Sequence, residues 1–469
     1  MKSELTPKLK KFDYIGIALF IGLFNSVSIF HKFGWGDDWA FMNEYKNGIS
    51  KVNYEHYSGY RPILQKIMDL SFGNLNDYSQ LVILRIVSLT GLVLLTLKIM
   101  SVLSRQGFTR KVLIALGLLL PLLPTFWIYT NWASVFSYTL VCLISIYAFE
   151  FFDRSKSLSF TLLIICFLIY QPAAVFSVFL VFSQFLRNRI LSFKNYQYLL
   201  TIFISAISSV IIGKAINSIL DVSGKQRSNM VDNPNEAMEK IIWVVTRPLV
   251  LSARPFVIES QGLIPLIASI VGLAATIFLF ALLAKGINKL LFVVNLGLLY
   301  SLALLPVLVI SENQIDFRIL PVTSTMGLLL LISGFSDWIS RFKGFKPLEF
   351  TAFILVLSTV TLYSALNVNK VFIKAFTNNE SFIKSYEIDE SDRGILIIGD
   401  DVGWPQNNFI GSLSVKSDFQ MSWVPVGEVS EILDVPNSQI TYTQKEDLGS
   451  NLEPIIIDLG IYKESLKDK

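Results

Sequence analysis

Two adjacent carboxylates and four arginines carry most of the chemistry that this chain's residues allow. Gly34-Trp35-Gly36-Asp37-Asp38-Trp39 is followed by Glu44 and then by Tyr57-Ser58-Gly59-Tyr60-Arg61-Pro62. Arg247-Pro248 and Arg254-Pro255 repeat the Arg-Pro pairing, and Arg318 follows Glu312 and Asp316. A positioned carboxylate takes a proton from a hydroxyl, more effectively where an apolar surface desolvates it. Arginine's planar fork engages two phosphate oxygens at once, so fixed guanidinium groups suit the charge that develops on a departing phosphate. One base plus several cations is equipment for group transfer from a phosphate ester to a hydroxyl. Sequence neighbours such as Asp37 and Asp38 are poorly placed to face each other across a glycosidic bond, as a glycosidase requires. The other reading of the pair is a solvated turn, with Asp38 capping a helix that begins at Trp39, Glu44 on its outer face, and the tryptophans in an interfacial belt.

The elements that must position these residues belong to a membrane protein. Charged residues make up 16% of the 469, against roughly 25% in soluble chains, while 52% are hydrophobic and the mean hydropathy is +0.54. These values exclude a disordered chain, a collagen-like fibre, a disulfide scaffold and a cytosolic enzyme. The net charge of +4 is scattered over short loops, so no nucleic-acid-binding face is expected. A bilayer core takes about 20 apolar residues per helix. Eleven such runs occur, at residues 14–30, 81–103, 112–129, 132–152, 158–170, 172–186, 196–217, 263–284, 290–310, 320–338 and 350–366. The fifth and sixth meet at Tyr170-Gln171-Pro172 and read equally as one re-entrant hairpin, which leaves the parity unchanged. The expected fold class is an all-α polytopic membrane protein.

Cations orient the spans. The N-terminal tail carries Lys2, Lys8, Lys10 and Lys11, and every second loop is basic: Arg105, Arg110 and Lys111; Arg154 and Lys156; Arg187, Arg189 and Lys194; Lys285 and Lys289; Arg341, Lys343 and Lys346. These loops are assigned to the cytoplasm, and the chain after the last span to the outside. No small-residue cleavage pattern follows the first span, which reads as retained. Three external segments are long: residues 32–80, 221–262 and everything after Asn367. The second has helical periodicity over 235–258, with Met238, Ile241, Ile242, Val245 and Leu249 on one stripe and Lys225, Arg227, Lys240, Arg247 and Arg254 as its cations, as expected of a helix lying in the interface. Within the spans, Arg85, Lys98 and Lys214 sit near the ends and snorkel. No carboxylate is kept near the midplane, which counts against an ion-coupled transporter. Cys142 and Cys166 lie inside spans as plain thiols, and His31 and His56 have no zinc-ligand spacing. From about Arg393 the character changes: 394–399 and 454–459 read as strands of a small α/β unit. Its Gly399-Asp400-Asp401 repeats the earlier triplet and is read as a turn. The chain thus divides into a membrane domain, 1–370, with its site in the first external loop at 31–80 and an interfacial segment at 221–262, and a soluble domain at 380–469.

Asp37-Asp38-Trp39 followed by Tyr57-Ser58-Gly59-Tyr60-Arg61-Pro62 resembles the multi-spanning, serotype-converting O-antigen glucosyltransferases, the phage-type glucosyl transferase II family. That family has a Gly-Arg-Pro element where this chain places Tyr60 between Gly59 and Arg61. The resemblance implies a GT-C type helical membrane domain in the bacterial cytoplasmic (inner) membrane, with its active site on the external face. The implied donor is undecaprenyl-phosphate glucose, made inside and flipped by a companion synthase and flippase. The implied acceptor is a sugar hydroxyl of lipid-linked O-antigen polysaccharide. On the residues' own chemistry, Asp37 or Asp38 is the base and the other orients the acceptor or a cation. Arg61, Arg247, Arg254 and Arg318 are the donor-phosphate residues, and Trp35, Trp39, Glu44 and Tyr60 the acceptor or sugar contacts. No cofactor is demanded, although an acidic pair can also hold a divalent metal ion on phosphate. Three competing readings are a flippase or transporter of polyprenyl-linked sugars, a non-catalytic assembly protein with the C-terminal domain as its binding module, and the same chemistry with another sugar.

Overall fold

The computed structural model describes residues 9–31, 34, 38, 41, 42, 45, 60–220, 234–257, 263–283, 289–309, 317–340 and 346–369, four isolated positions between 373 and 384, and five strands beyond 394. The helices are α1 (Lys11–Phe30), α2 (Pro62–Phe72), α3 (Leu81–Arg105), α4 (Arg110–Leu119), α5 (Pro124–Asn131), α6 (Tyr138–Phe151), α7 (Lys156–Ile169), α8 (Val178–Asn188), α9 (Phe193–Ile219), α10 (Pro234–Thr246), α11 (Pro248–Ala253), α12 (Leu263–Leu283), α13 (Lys289–Ala303), α14 (Pro321–Ser340) and α15 (Lys346–Val368). Each of the eleven apolar runs is helical over nearly all of its described length.

Crossing a bilayer is a separate matter of length. Four helical stretches are long and apolar enough among the described residues: Lys11–Phe30, Tyr78–Arg105, Ala133–Phe151 and Phe193–Ile219. A fifth counts if Arg110–Leu122 and Pro124–Asn131, bent by 53°, form one span. Prolines account for the breaks, because each lacks the N–H of the helical ladder and crowds the preceding turn. Pro121 and Pro124 flank the extended Leu123, Pro172 follows Gln171 between α7 and α8, and Pro248 divides α10 from α11. The interfacial helix read over 235–258 is therefore two pieces. Met238, Ile241 and Ile242 face outward from the protein as an apolar stripe, but Lys240 is buried beneath Trp243, its Nζ 4.4 Å from the ring.

Packing sorts the helices into inner and outer ones. Residues 175–182 are fully buried, so the start of α8 is walled by protein on all sides. On α1 and α9, by contrast, Leu19, Leu23, Val27, Leu200, Ile204, Ile207 and Ile211 are exposed. An apolar face of that extent belongs against lipid. The α3–α6 contact is close and polar: a Cβ at Gly91 would meet the Thr139 side chain, and the Ser88 and Thr139 hydroxyls lie 3.3 Å apart. Small and hydroxyl-bearing residues let apolar helices approach and hydrogen-bond where hydrophobic burial gives little net attraction.

Side-chain contacts also define two ends of the bundle. At one, Arg110 binds Asp13, Glu150 pairs with Lys98 and Arg105, Lys194 pairs with Asp153, and a Cβ at Gly107 would strike Arg187. Cations of two of the basic stretches read from the sequence, Arg105 with Arg110 and Arg187 with Lys194, thus meet there, paired with Asp13, Glu150 and Asp153 beside the other two. At the other end lie the exit of α1, the start of α2, the turn after α5 and the turn before α14. Beyond residue 394 the described residues are strands. β1 (Ile395–Gly399) lies between β4 (Ile440–Gln444) and β5 (Ile455–Asp458), parallel to both, and β2 (Asn407–Ile410) pairs antiparallel with β3 (Leu413–Val415).

Candidate functional site

The site is assembled from stretches of chain far apart in sequence, and Asp38 is its first fixed point. Asp38, Phe41, Met42 and Tyr45 are helical, and at spacings of three and four residues they share one face. Asp38 and Met42 are fully buried, Phe41 packs on Phe72 at 5.5 Å between ring centroids, and Tyr45 does so at 6.4 Å. The Tyr45 hydroxyl donates to Asp69 of α2 at 2.7 Å, where Gln65 Nε2 also donates at 2.9 Å. Burial raises the Asp69 carboxyl, but hydrogen bonds from Tyr45, Gln65 and Lys66 outweigh it and hold the group below the ordinary carboxylate value. The expectation that Asp38 caps a helix beginning at Trp39 does not hold. Its carboxylate instead accepts from the backbone N–H groups of Ala133 at 3.2 Å and Ser134 at 2.6 Å, opening the 3₁₀ turn Ala133–Val135. Free N–H groups at a helix start need such an acceptor, and here it comes from 95 residues away in the chain.

Two arginines lead into the same turn. Arg61 sits just before Pro62, the first residue of α2, and its Nε donates to Gln171 Oε1 at 2.6 Å while the guanidinium lies 5.1 Å from the centre of the Tyr170 ring. Tyr170 stacks on Tyr138 at 3.5 Å, and Tyr138 meets Tyr129 edge-on at 5.4 Å. The hydroxyls of Tyr129 and Tyr170 both donate to the carbonyl of Arg318, at 2.5 and 3.4 Å. Thr125 donates to the neighbouring carbonyl of Phe317 at 2.6 Å. So held, Arg318 places its guanidinium 4.2 Å from the centre of the Trp132 ring, and Trp132 immediately precedes the two residues that bind Asp38. A continuous run of contacts therefore joins Arg61, Tyr170, Arg318, Trp132 and Asp38. The turn also buries Asn131 Oδ1, Ser134 Oγ and Ser137 Oγ without a hydrogen-bond partner among the described residues.

Tyr60 occupies the left-handed region, with φ 57°. Glycine adopts that backbone freely, whereas a side chain pays in strain. Tyr60 is held there by α9: a Cβ on Gly213 would come within 2.8 Å of the Tyr60 Cβ, and Lys214 Nζ lies 6.0 Å from its ring centre. The position before Arg61-Pro62 thus has glycine's geometry, and the glycine that makes room for the ring is on the opposing helix.

Arg247 is exposed and Arg254 buried, at the two ends of α11. A Cβ on Gly327 of α14 would come within 2.6 Å of the Ser252 carbonyl, and one on Gly272 of α12 would strike that of Ala253, so α11 is pinned by close approach. The contacts that tie Arg61 to Arg318 involve neither arginine. Asp37, Trp35, Trp39 and Glu44 lie outside the described residues, as do Glu312, Asp316, Asp400 and Asp401. The snorkelling expected of Arg85 is overturned: it is 1% exposed, with Nε donating to the Asn131 carbonyl and Nη1 to the His31 carbonyl, both at 3.0 Å. Comparison with family models, curated proteins and solved structures yields no match.

Proposed function

We propose that this chain is a polyprenyl-phosphate-sugar-dependent glycosyltransferase of the bacterial inner membrane, with eleven spans, a cytoplasmic N-terminus and an extracytoplasmic C-terminal α/β domain. It moves a glucosyl residue from undecaprenyl-phosphate glucose to a sugar hydroxyl of lipid-linked O-antigen on the external face. The observation that carries this reading is the run of contacts from Arg61 through Tyr170, Arg318 and Trp132 to Asp38. It joins Asp38 of the acidic pair to two of the proposed phosphate-binding arginines at the end of the bundle opposite the basic loops. Buried polar atoms at Asn131, Ser134 and Ser137 suit a hydroxyl-rich ligand.

In the proposed reaction the acceptor hydroxyl gives its proton to a carboxylate, and its oxygen attacks the anomeric carbon. The bond from that carbon to the phosphate oxygen breaks, and the electron pair leaves with undecaprenyl phosphate. Arg61 and Arg318 meet the charge on that leaving group. Both Asp38 oxygens already accept backbone N–H groups, so Asp38 is assigned to holding the 132–135 turn and Asp37 to the proton. The test is transfer of labelled glucose from undecaprenyl-phosphate glucose to lipid-linked polysaccharide by purified protein. Asp37→Asn is expected to lower kcat by about 10²-fold or more with donor binding kept, and Arg61→Ala to raise the donor KM. Full turnover by Asp37→Asn would remove it as the base. Donor binding by a wild type that transfers none of the polyprenyl-linked sugars would favour the transporter reading.

A further inference from the structure

The 1% exposure of Arg85 sets a physical problem, because it lies one turn into α3, between Leu84 and Ile86 in an apolar run. Burying a guanidinium among apolar helices costs several kcal/mol unless its donors and its charge are met. Among the described residues, two of its donors and its charge are met from three places. Nη1 donates to the carbonyl of His31, the residue at which α1 ends and the first external segment begins. Nε donates to the carbonyl of Asn131, the last residue of α5. Asp38 acts on it as the opposite charge. Asp38 in turn accepts from Ala133 and Ser134, so the turn at 131–134 is gripped by a cation at its carbonyl and an anion at its amides. Trp132, between the two grips, is the residue over which Arg318 lies.

We infer that Arg85 is a positioning residue for transfer: it locks the exit of α1 to the turn after α5 and so sets where Asp38 stands relative to the Arg318 guanidinium. This rests on the transferase reading. Arginine is needed because its rigid fork aims separate N–H groups at two carbonyls, whereas lysine presents a point charge on a flexible stem. Buried as it is, Arg85 acts through Asp38 and the turn, so its loss falls on kcat and leaves donor affinity in place. Misplacement of a reacting group by about 1 Å costs on the order of 10²-fold.

The experiment compares wild type, Arg85→Lys, Asp38→Asn and the double variant Arg85→Met/Asp38→Asn in detergent, at matched folded amounts. It reads kcat and KM for undecaprenyl-phosphate glucose, and amide hydrogen exchange over residues 131–137. Arg85→Lys keeps the charge, so the fold is retained while the fork is lost. The expected result is a kcat lowered about tenfold or more, a donor KM within about twofold, and faster exchange at Ala133 and Ser134. The double variant, with both charges removed, is expected to turn over no more slowly than Asp38→Asn alone. Wild-type kcat in Arg85→Lys, a rise in KM with kcat kept, or unchanged exchange at Ala133 and Ser134 would each overturn the inference. If wild type transfers no sugar, the transferase reading fails by itself, and exchange still decides whether Arg85 holds the turn.

Discussion

Tyr45 and Asp69 carry the link between the Asp38 helix and α2, and its strength depends on one proton. The Asp69 carboxyl is held below its ordinary value, so the folded state favours the carboxylate. The stabilisation is therefore present above the unfolded pKa, near 3.8, and is lost as pH falls through the lower folded one. Tyr45→Phe removes one charge-assisted hydrogen bond from a partly exposed group, and about 1 kcal/mol of stability at pH 7 is the expected loss. Thermal unfolding of both proteins at pH 7 and at about pH 3 checks it: the gap narrows at the lower pH, and an equal gap at both would mean that the charge is irrelevant. The same contrast between charge and partner decides which residues can be read from sequence. Arg61 and Arg318 stand out in the sequence as arginines beside proline or acid in polar loops, and the structure links them through Tyr170. Arg85 does not stand out, because its partners are carbonyls at positions 31 and 131, and carbonyls leave no mark in the sequence. For Asp38 the sequence suggested a cap, but the capped turn lies across the bundle.

Helices and turns, unlike partners, announce themselves through period and proline. The apolar runs are all helical, and the breaks fall at Pro121, Pro124, Pro172 and Pro248, where the ladder loses a donor. Periodicity alone could not show which runs reach across a bilayer. At 1.5 Å per residue, the 14-residue α7 spans about 21 Å, short of a core about 30 Å thick. Close approaches between elements were also hidden, and the contact of α9 with the start of α2 is the clearest. Gly213→Ala would push a methyl group onto Tyr60, whose backbone is already left-handed. Overpacking of this kind costs about 1–3 kcal/mol, so the variant is expected to melt lower than wild type. Tyr60→Gly removes the obstacle and the strain together, and adding it to Gly213→Ala should recover most of the loss. Additive losses in the double variant, measured by thermal unfolding, would show that Tyr60 and Gly213 do not oppose each other.

At the scale of the whole molecule, the two ends of the bundle differ in what they gather, and that difference makes topology testable. Asp13 with Arg110, Glu150 with Lys98 and Arg105, and Asp153 with Lys194 tie one end together, from the stretches whose cations favour the cytoplasm. Asp38, Arg61, Trp132 and Arg318 hold the other. The proposed lipid-linked donor, presented on the outer leaflet, can meet Asp38 only if the second end faces outward. The protein's own cysteines do not interfere with a labelling test, because Cys142 and Cys166 are both fully buried. Asn76, exposed between α2 and α3, and Arg154, exposed between α6 and α7, are suitable positions for one added cysteine each. In intact cells a membrane-impermeant maleimide is expected to label Asn76→Cys directly and Arg154→Cys only after lysis. Labelling of wild type would show that the bundle does not enclose its thiols. The reverse order for the two variants would put the Asp38 end in the cytoplasm, where soluble nucleotide sugars are the available donors and an arginine clamp for a flipped lipid phosphate has no purpose.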